Sequence, residues 1–268
     1  MLDLIQITND VAFARRCDAL PGLRLFVDLE RLGKAERQAG RNTFISQHRL
    51  DDVGRIRDAV RQRRLMVRVN PLHEGTPAEL DAVLAHRPDL VMLPMFTGAA
   101  QVREFTSLVA GRAPVTLLLE TAGAFESLSQ WIGTPGLHEV YVGLNDLHLS
   151  LGMRFMFEPL ALGMLDTVAT AARGAGLRFG FGGIARLDEG LLPGLDVLSE
   201  HLRLGSQAVI LSRTFHREDG EIAFEQQVAA LRDAEGRLAA RNPAQVQADR
   251  QRIAQAIRAI ADQPPARP

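Results

Sequence analysis

VTLLLETAGAFESL, residues 115–128, is an apolar run that stops at a carboxylate, Glu120, and turns into a helix-like segment that Thr121 can cap. EVYVGLNDLHLSLG, residues 139–152, follows the same plan one unit later, with Asp146 beyond its apolar run. Short runs without strict polar alternation suit strands covered on both faces, the condition of a parallel sheet. Six more are spaced along the chain: Leu4–Ile7, Arg24–Leu29, Leu65–Val69, Leu90–Leu93, Arg178–Phe181 and Ala208–Leu211. Between them lie apolar stripes at helical spacing, such as Leu50, Val53, Ile56 and Val60, or Leu160, Met164, Leu165, Val168 and Ala172. Thr76-Pro77 fits an N-cap and first turn. Strand alternating with helix implies an α/β chain with right-handed crossovers. Eight units favour a closed (β/α)8 TIM barrel over a doubly wound open sheet.

The chain has 268 residues, the usual size for one such barrel. We assign residues 1–218 to it. Residues 219–262 are helix-like, charged and rich in Ala and Gln, with Asn242-Pro243 as a break, and 263–268 form a tail. That is more helix than a barrel needs. It fits an oligomerisation arm, making the chain a homo-oligomer, and it fits equally a hairpin folded back on its own barrel. The net charge of -1, with both signs spread along the chain, argues against nucleic acid as a partner. No run is long enough for a membrane span, and MLDLIQITND is not a secretory signal, so the expected location is cytoplasmic. One cysteine, Cys17, excludes an internal disulfide and a multi-thiolate zinc site.

In a parallel barrel the chemistry sits at the C-terminal ends of the strands. Glu120 ends an apolar run, where a carboxylate is costly unless paired, protonated or bound to a cation. With Asp146 it could give Mg2+ or Mn2+ two hard oxygen ligands. An ion pair with a barrel arginine, or a cap before Thr121, is the structural reading of the same residue. Arg68 interrupts a buried strand, and its fork of donors matches a carboxylate or an enolate oxygen, or else a partner acid at Asp28 or Glu30. Asp28 and Glu30 alternate with apolar residues and share a face. They could orient Arg68 or move a proton. His148 and His73 are possible acid–base groups or ordinary loop histidines. Gly182 and Gly183, within GFGGIA, read as a tight loop whose N–H groups could contact an anion, with Arg186 and Arg213 nearby as substrate contacts.

The segments LMVRVNP, LVMLP, LLLETAGAFESL and YVGLNDLHLSLG, in this order and spacing, resemble the HpcH/HpaI aldolase and citrate lyase family, and FVDLE resembles the second-strand motif of its citrate-lyase branch. The resemblance spans Leu4 to Phe215. It implies a barrel that uses a divalent ion to make or break a carbon–carbon bond next to a pyruvate- or acetyl-type enolate. It also implies metal ligands at Glu120 and Asp146 and an enolate-binding arginine at Arg68. Two departures stand out. The hydroxy-acid aldolase branch has a histidine just after the second-strand acid, where this chain reads Glu30-Arg31, and the citrate-lyase branch has an acid at the position of Arg31. GFGGIARLDEGLLP and RLGSQAVILSRTF are similar instead to a less characterised subgroup associated with polysaccharide biosynthesis.

The expected function is therefore a metal-dependent aldolase or lyase (class II, pyruvate-type) taking a small 2-keto acid adduct, with a sugar among the candidates for its aldehyde-type half. Arg68, Glu30, Asp28 and His148 are its catalytic candidates. The rival is an inactive barrel that binds metal and keto acid as a scaffold or sensor. An acyl or phosphoenol hydrolase is a third reading.

Overall fold

Each of the eight apolar runs becomes a strand in the computed structural model, which describes residues 1–34, 47–216 and 223–263. The strands are β1 (Asp3–Ile7), β2 (Leu23–Asp28), β3 (Arg64–Arg68), β4 (Leu90–Leu93), β5 (Val115–Leu119), β6 (Leu137–Val142), β7 (Arg178–Ile184) and β8 (Ala208–Leu211). They pair in parallel in chain order and close into a barrel, β8 against β1.

Successive residues of a strand point to opposite faces, so each strand splits its side chains between two cores. Leu25, Val27, Leu65, Val67, Leu117, Leu119, Val140 and Val142 face outward into the larger core under the helices. Ile5, Phe26, Met66, Met92, Leu118 and Tyr141 fill the barrel itself. Hydrophobic residues on both faces explain why the sequence shows runs rather than alternation.

The interior is layered. At its base Arg24, only 1% exposed, donates to Glu139 (2.7 and 3.0 Å) and to Asp3 (2.6 Å), and Arg178 donates to the same two acids at 3.2 and 2.7 Å. The apolar layer comes next. Asp28, Arg68 and Glu120 lie above it, two residues further along their strands from Phe26, Met66 and Leu118.

The GFGG segment departs from the sequence reading. Gly182 and Gly183 belong to β7, and the register against β8 shifts between Gly180 and Gly183. They form a bulged strand rather than a tight loop. A Cβ on Gly180 would stand 2.7 Å from Tyr141 Cδ2 and from the Ala208 carbonyl, so the tyrosine ring occupies the space that glycine leaves. Tyr141 shares its hydroxyl proton between the carbonyls of Gly182 (2.5 Å) and Phe181 (3.1 Å) and accepts the Ile210 N–H at 2.8 Å. One side chain thus satisfies the backbone groups that the bulge unpairs.

The helices begin at chemical stops. Asp10 caps α1 (Val11–Asp18), Thr121 caps α5 (Ala122–Glu126) and Asn242 caps the last helix, each side chain accepting an N–H from the first turn. For α3 (Thr76–Ala85) the cap is Gly75 rather than Thr76, whose hydroxyl accepts the His73 N–H instead. The two C-terminal helices, Phe224–Ala239 and Pro243–Ala261, turn Val228, Leu231, Ile253 and Ile257 inward against their own barrel. Arg232 donates to the carbonyls of Leu2 and Gly22 under the barrel, and Arg252 forks onto Asp196. Of the two sequence readings of this segment, the fold-back is the one these contacts express. The 218/219 boundary and most of the tail lie outside the described residues.

Candidate metal centre

The mouth is built around a register pair. Asp28 and Arg68 are direct partners at the ends of β2 and β3, so their side chains leave the sheet side by side. Arg68 donates through Nε and Nη2 to the two carboxylate oxygens of Asp28, both at 2.8 Å, and Nη1 lies 3.3 Å from Glu30 Oε2. Its guanidinium carbon sits 5.6 Å above the Phe26 ring. Burial would lower the pKa of the guanidinium, but Asp28, Glu30 and Glu120 raise it, so Arg68 is a fixed cation. Asp28, only 3% exposed, is held well below the usual carboxylate range: Arg68 and Lys34 outweigh the desolvation that would raise it. Asp28 Oδ1 also accepts the Glu30 N–H at 3.1 Å, which fixes the turn that brings Glu30 back over Arg68.

Glu120 stands one residue beyond β5 and is 2% exposed. Its Oε1 accepts the Met95 N–H at 3.0 Å. Met95 has a φ of 55°, the left-handed region that a side chain normally avoids, at a cost of about 1–2 kcal/mol. That strain aims its N–H into the mouth. Oε2 points at Gly143, where a Cβ would stand 2.7 Å from it. Burial pushes the Glu120 carboxyl up to about 8; the charges of Glu30 and Asp146 push the same way, while Arg68 and the Met95 N–H pull it down. Asp146 falls in the first turn of α7 (Leu144–Ser150) rather than in a loop, half-buried, close enough for its charge to act on Glu120.

These observations test the fit of a divalent cation. Two carboxylates from adjacent strand ends repel each other in a desolvated place, which a hard cation relieves. Glu120 Oε2 faces the backbone of Gly143, just beyond the end of β6. Among the described residues no group of three or more His, Cys, Asp or Glu is placed to hold a metal; the carboxylates that the mouth offers at the ends of β5 and β6 are Glu120 and Asp146. The pair fits an ion that keeps further positions for water or substrate.

The other candidates separate. His148 is buried on α7 and one ring nitrogen meets the Leu144 carbonyl at 3.1 Å, one turn back in the same helix. His73 accepts the Gly75 N–H at Nδ1 and meets Glu79 through Nε2 at 3.2 Å. Glu79 also accepts from Asn70, whose own carbonyl receives the N–H groups of Arg31 and Leu32. His73 therefore belongs to a latch that holds the loop after β2. Gly182 and Gly183 lie in β7, Arg186 follows it with Nη1 3.5 Å from Glu189, and Arg213 opens an exposed turn after β8.

Two residues at the mouth were absent from the sequence reading. Lys34 is buried, with Nζ 2.7 Å from Asp28 Oδ2 and 3.6 Å from Glu30 Oε2. His48 Nδ1 accepts the Asp28 backbone N–H at 3.0 Å, which puts the ring proton on Nε2, and burial holds its pKa below the ordinary imidazole value. Lys34 had a visible signal: it is the chain's single lysine. His48 had none, because its place depends on the path of the loop.

Comparison with known proteins finds relatives of the same barrel fold. A family model described as HpcH/HpaI aldolase/citrate lyase matches residues 25–181. A (3S)-malyl-CoA thioesterase of Cereibacter sphaeroides is 29% identical over 181 residues, covering 63% of this chain and 63% of that enzyme, so the chain matches less than two thirds of that relative. A citrate lyase from Burkholderia xenovorans superposes with a TM-score of 0.63 at 14% identity, covering 97% of this chain and 83% of that one. A citrate lyase beta subunit from M. tuberculosis, complexed with oxaloacetate and magnesium, gives 0.56 at 21% identity, covering 87% and 95%. At these identities the structural likeness speaks for the fold.

Proposed function

The chain belongs to the HpcH/HpaI aldolase/citrate lyase family, and on that footing we propose that it is a divalent-metal-dependent carbon–carbon lyase acting on a small 2-keto acid adduct through a pyruvate-type enolate. The observation that carries the proposal is the meeting of Glu120, desolvated beside Asp146, with the clamped cation Arg68. Glu120 and Asp146 would hold Mg2+ or Mn2+, which supplies an electrophilic pole for the keto oxygen. A solved relative of the same fold bound with oxaloacetate, itself a 2-keto acid, and magnesium supports that pairing.

Arg68 presents a rigid donor edge to the oxygen on which charge develops as the bond breaks, and its clamp on Asp28 removes the cost of orienting it during the reaction. Glu30, held above Arg68, is placed to take the hydroxyl proton of the departing half and return one to the methylene carbon. The aldehyde-type half would leave over the loops after β7 and β8, near Arg186 and Arg213.

Exchange of the pyruvate methyl protons with solvent deuterium, followed by NMR, reads enolate formation without the unknown acceptor. The wild type should exchange in the presence of Mg2+ or Mn2+, and Glu120→Gln and Asp146→Asn should each abolish the exchange. Unchanged exchange in both variants refutes the proposal.

The malyl-CoA thioesterase relative favours a second reading, hydrolysis of an acyl thioester at the same centre. A mass-spectrometric product screen with short acyl-CoA substrates separates the two. The hydrolase releases free CoA and an acid; the lyase splits the carbon skeleton.

A further inference from the structure

The chain carries 31 lysines and arginines, of which one, Lys34, is lysine. A chain that meets every other need for a cation with arginine keeps a lysine at the mouth of its site, 4% exposed. The contacts explain the choice. Arg68 already occupies both oxygens of Asp28 with its planar fork, through Nε and Nη2. What remains on Asp28 Oδ2 is one lone pair, which suits a compact single-point donor better than a second fork. Lys34 Nζ takes it at 2.7 Å and reaches Glu30 Oε2 at 3.6 Å. The lysine follows Glu30 by four residues, in the short segment whose Lys34 N–H bonds the Arg31 carbonyl at 3.2 Å. Among the described residues, the contacts that hold its head are those with Asp28 and Glu30.

The mouth can be counted as charges. Among the described residues, four carboxylates (Asp28, Glu30, Glu120 and Asp146) meet two cations, Arg68 and Lys34. With Glu120 ionised, as it is once a cation has displaced its proton, two negative charges are left, the complement of one divalent cation. Without Lys34 three would be left, and the field would favour cations further and repel the carboxylate of a keto acid.

We infer that Lys34 is a positioning residue that sets the charge of the mouth, so that the site takes one divalent cation together with an anionic keto acid. The inference rests on the metal reading given above. It assigns Lys34 no contact with the reacting atoms: the ammonium acts through Asp28 and Glu30 and through its field.

The test measures two affinities of opposite charge in the full-length protein. Mn2+ binding is titrated by electron paramagnetic resonance, and oxalate binding to the Mn2+-loaded protein by calorimetry. In Lys34→Gln, Mn2+ should bind roughly three- to tenfold more tightly and oxalate weaker by a similar factor, the size expected when a unit charge is removed several ångströms away in a partly screened site. Lys34→Arg, which keeps the charge, should hold Mn2+ within about twofold of the wild type. The double variant Asp28→Asn/Lys34→Gln removes the pair together and restores the count, so its Mn2+ affinity should also return to within about twofold. This variant leaves Arg68 with Glu30, 3.3 Å from Nη1, as its carboxylate partner and keeps the test alive if Lys34→Gln does not fold. A purely structural role would weaken both ligands together. Loss of both affinities in Lys34→Gln, no change in either, or a double variant that fails to restore Mn2+ binding overturns the inference. A wild-type protein that binds no Mn2+ overturns the metal reading, and this inference with it.

Discussion

Gly143→Ala is a steric probe of the site. Gly143 has φ -83° and ψ 87°, a conformation open to alanine, so the substitution adds a methyl group without backbone strain. That methyl would stand 2.7 Å from Glu120 Oε2, 3.0 Å from Glu120 Cβ and 3.2 Å from Leu118 Cδ1. Carbon and oxygen settle no closer than about 3.2 Å, so the carboxylate must retreat by about half an ångström. It has little room to do so, because Oε1 is tied to the Met95 N–H at 3.0 Å and Glu120 is buried. Overpacking of this kind costs about 1–3 kcal/mol. Part of any stability loss would have another source, since alanine is a poorer N-cap than glycine for the helix that starts at Leu144. Cation affinity is free of that ambiguity. If the displacement costs the bound state as little as about 1.4 kcal/mol, Mn2+ binding falls about tenfold. Urea unfolding and Mn2+ titration of the variant would be set against Gly133→Ala, where the new Cβ meets nothing within 4 Å. Wild-type Mn2+ affinity in Gly143→Ala would show that Glu120 does not point where the reasoning needs it.

Cation uptake should be linked to a proton. Burial pushes the Glu120 carboxyl from 4.5 up to about 8, so near pH 7 it is mostly protonated and a bound cation should release close to one proton. Calorimetry in buffers of different ionisation enthalpy measures this; apparent affinity should climb about tenfold per pH unit towards pH 8 and then level. The sign for stability is the reverse: the folded, cation-free chain holds this proton more tightly than the unfolded chain. The stabilising contribution is full below pH 4.5 and is lost as pH rises towards 8, a loss that added Mg2+ should cancel. At the other end of the barrel, Arg24→Met leaves Glu139, fully buried, with Arg178 alone, and should cost about 3–5 kcal/mol in chemical denaturation. Mn2+ affinity should stay unchanged in that variant, because the apolar layer of Ile5, Phe26, Met66, Leu118 and Tyr141 separates base from mouth.

Parts of this molecule could be read from sequence because they rest on short-range periodicity. A strand buried on both faces must be apolar throughout, so eight runs announced eight strands, and a carboxylate at the end of one announced the mouth. For Arg68 the sequence offered Asp28 or Glu30 as a partner, and the register at the ends of β2 and β3 gives its fork to Asp28. The reading fell short at the end of β7, where Gly182 and Gly183, read as a loop, carry no side-chain pattern and continue the strand begun at Arg178. GFGG serves a strand there because Tyr141, from the neighbouring strand, needs the space. Nothing local to residues 180–183 states that requirement.

The loop after β2 fails and succeeds in the same residues. Sequence reasoning marked the missing histidine beside Glu30 as the point where the chemistry became uncertain. The structure brings His48 onto the Asp28 backbone N–H and Lys34 onto the Asp28 carboxylate. With the proposed cation in place, this arrangement leaves Arg68 one free edge. Nε and Nη2 are spent on Asp28 at 2.8 Å, while Nη1 faces Glu30 at the longer 3.3 Å. The longer contact is the one a substrate oxygen can displace. Glu30 would then give up its hold on Arg68 as the substrate arrives and turn to Lys34, its other cation. On the proposed reading, the residue that would move the proton is the one that substrate binding would loosen from Arg68.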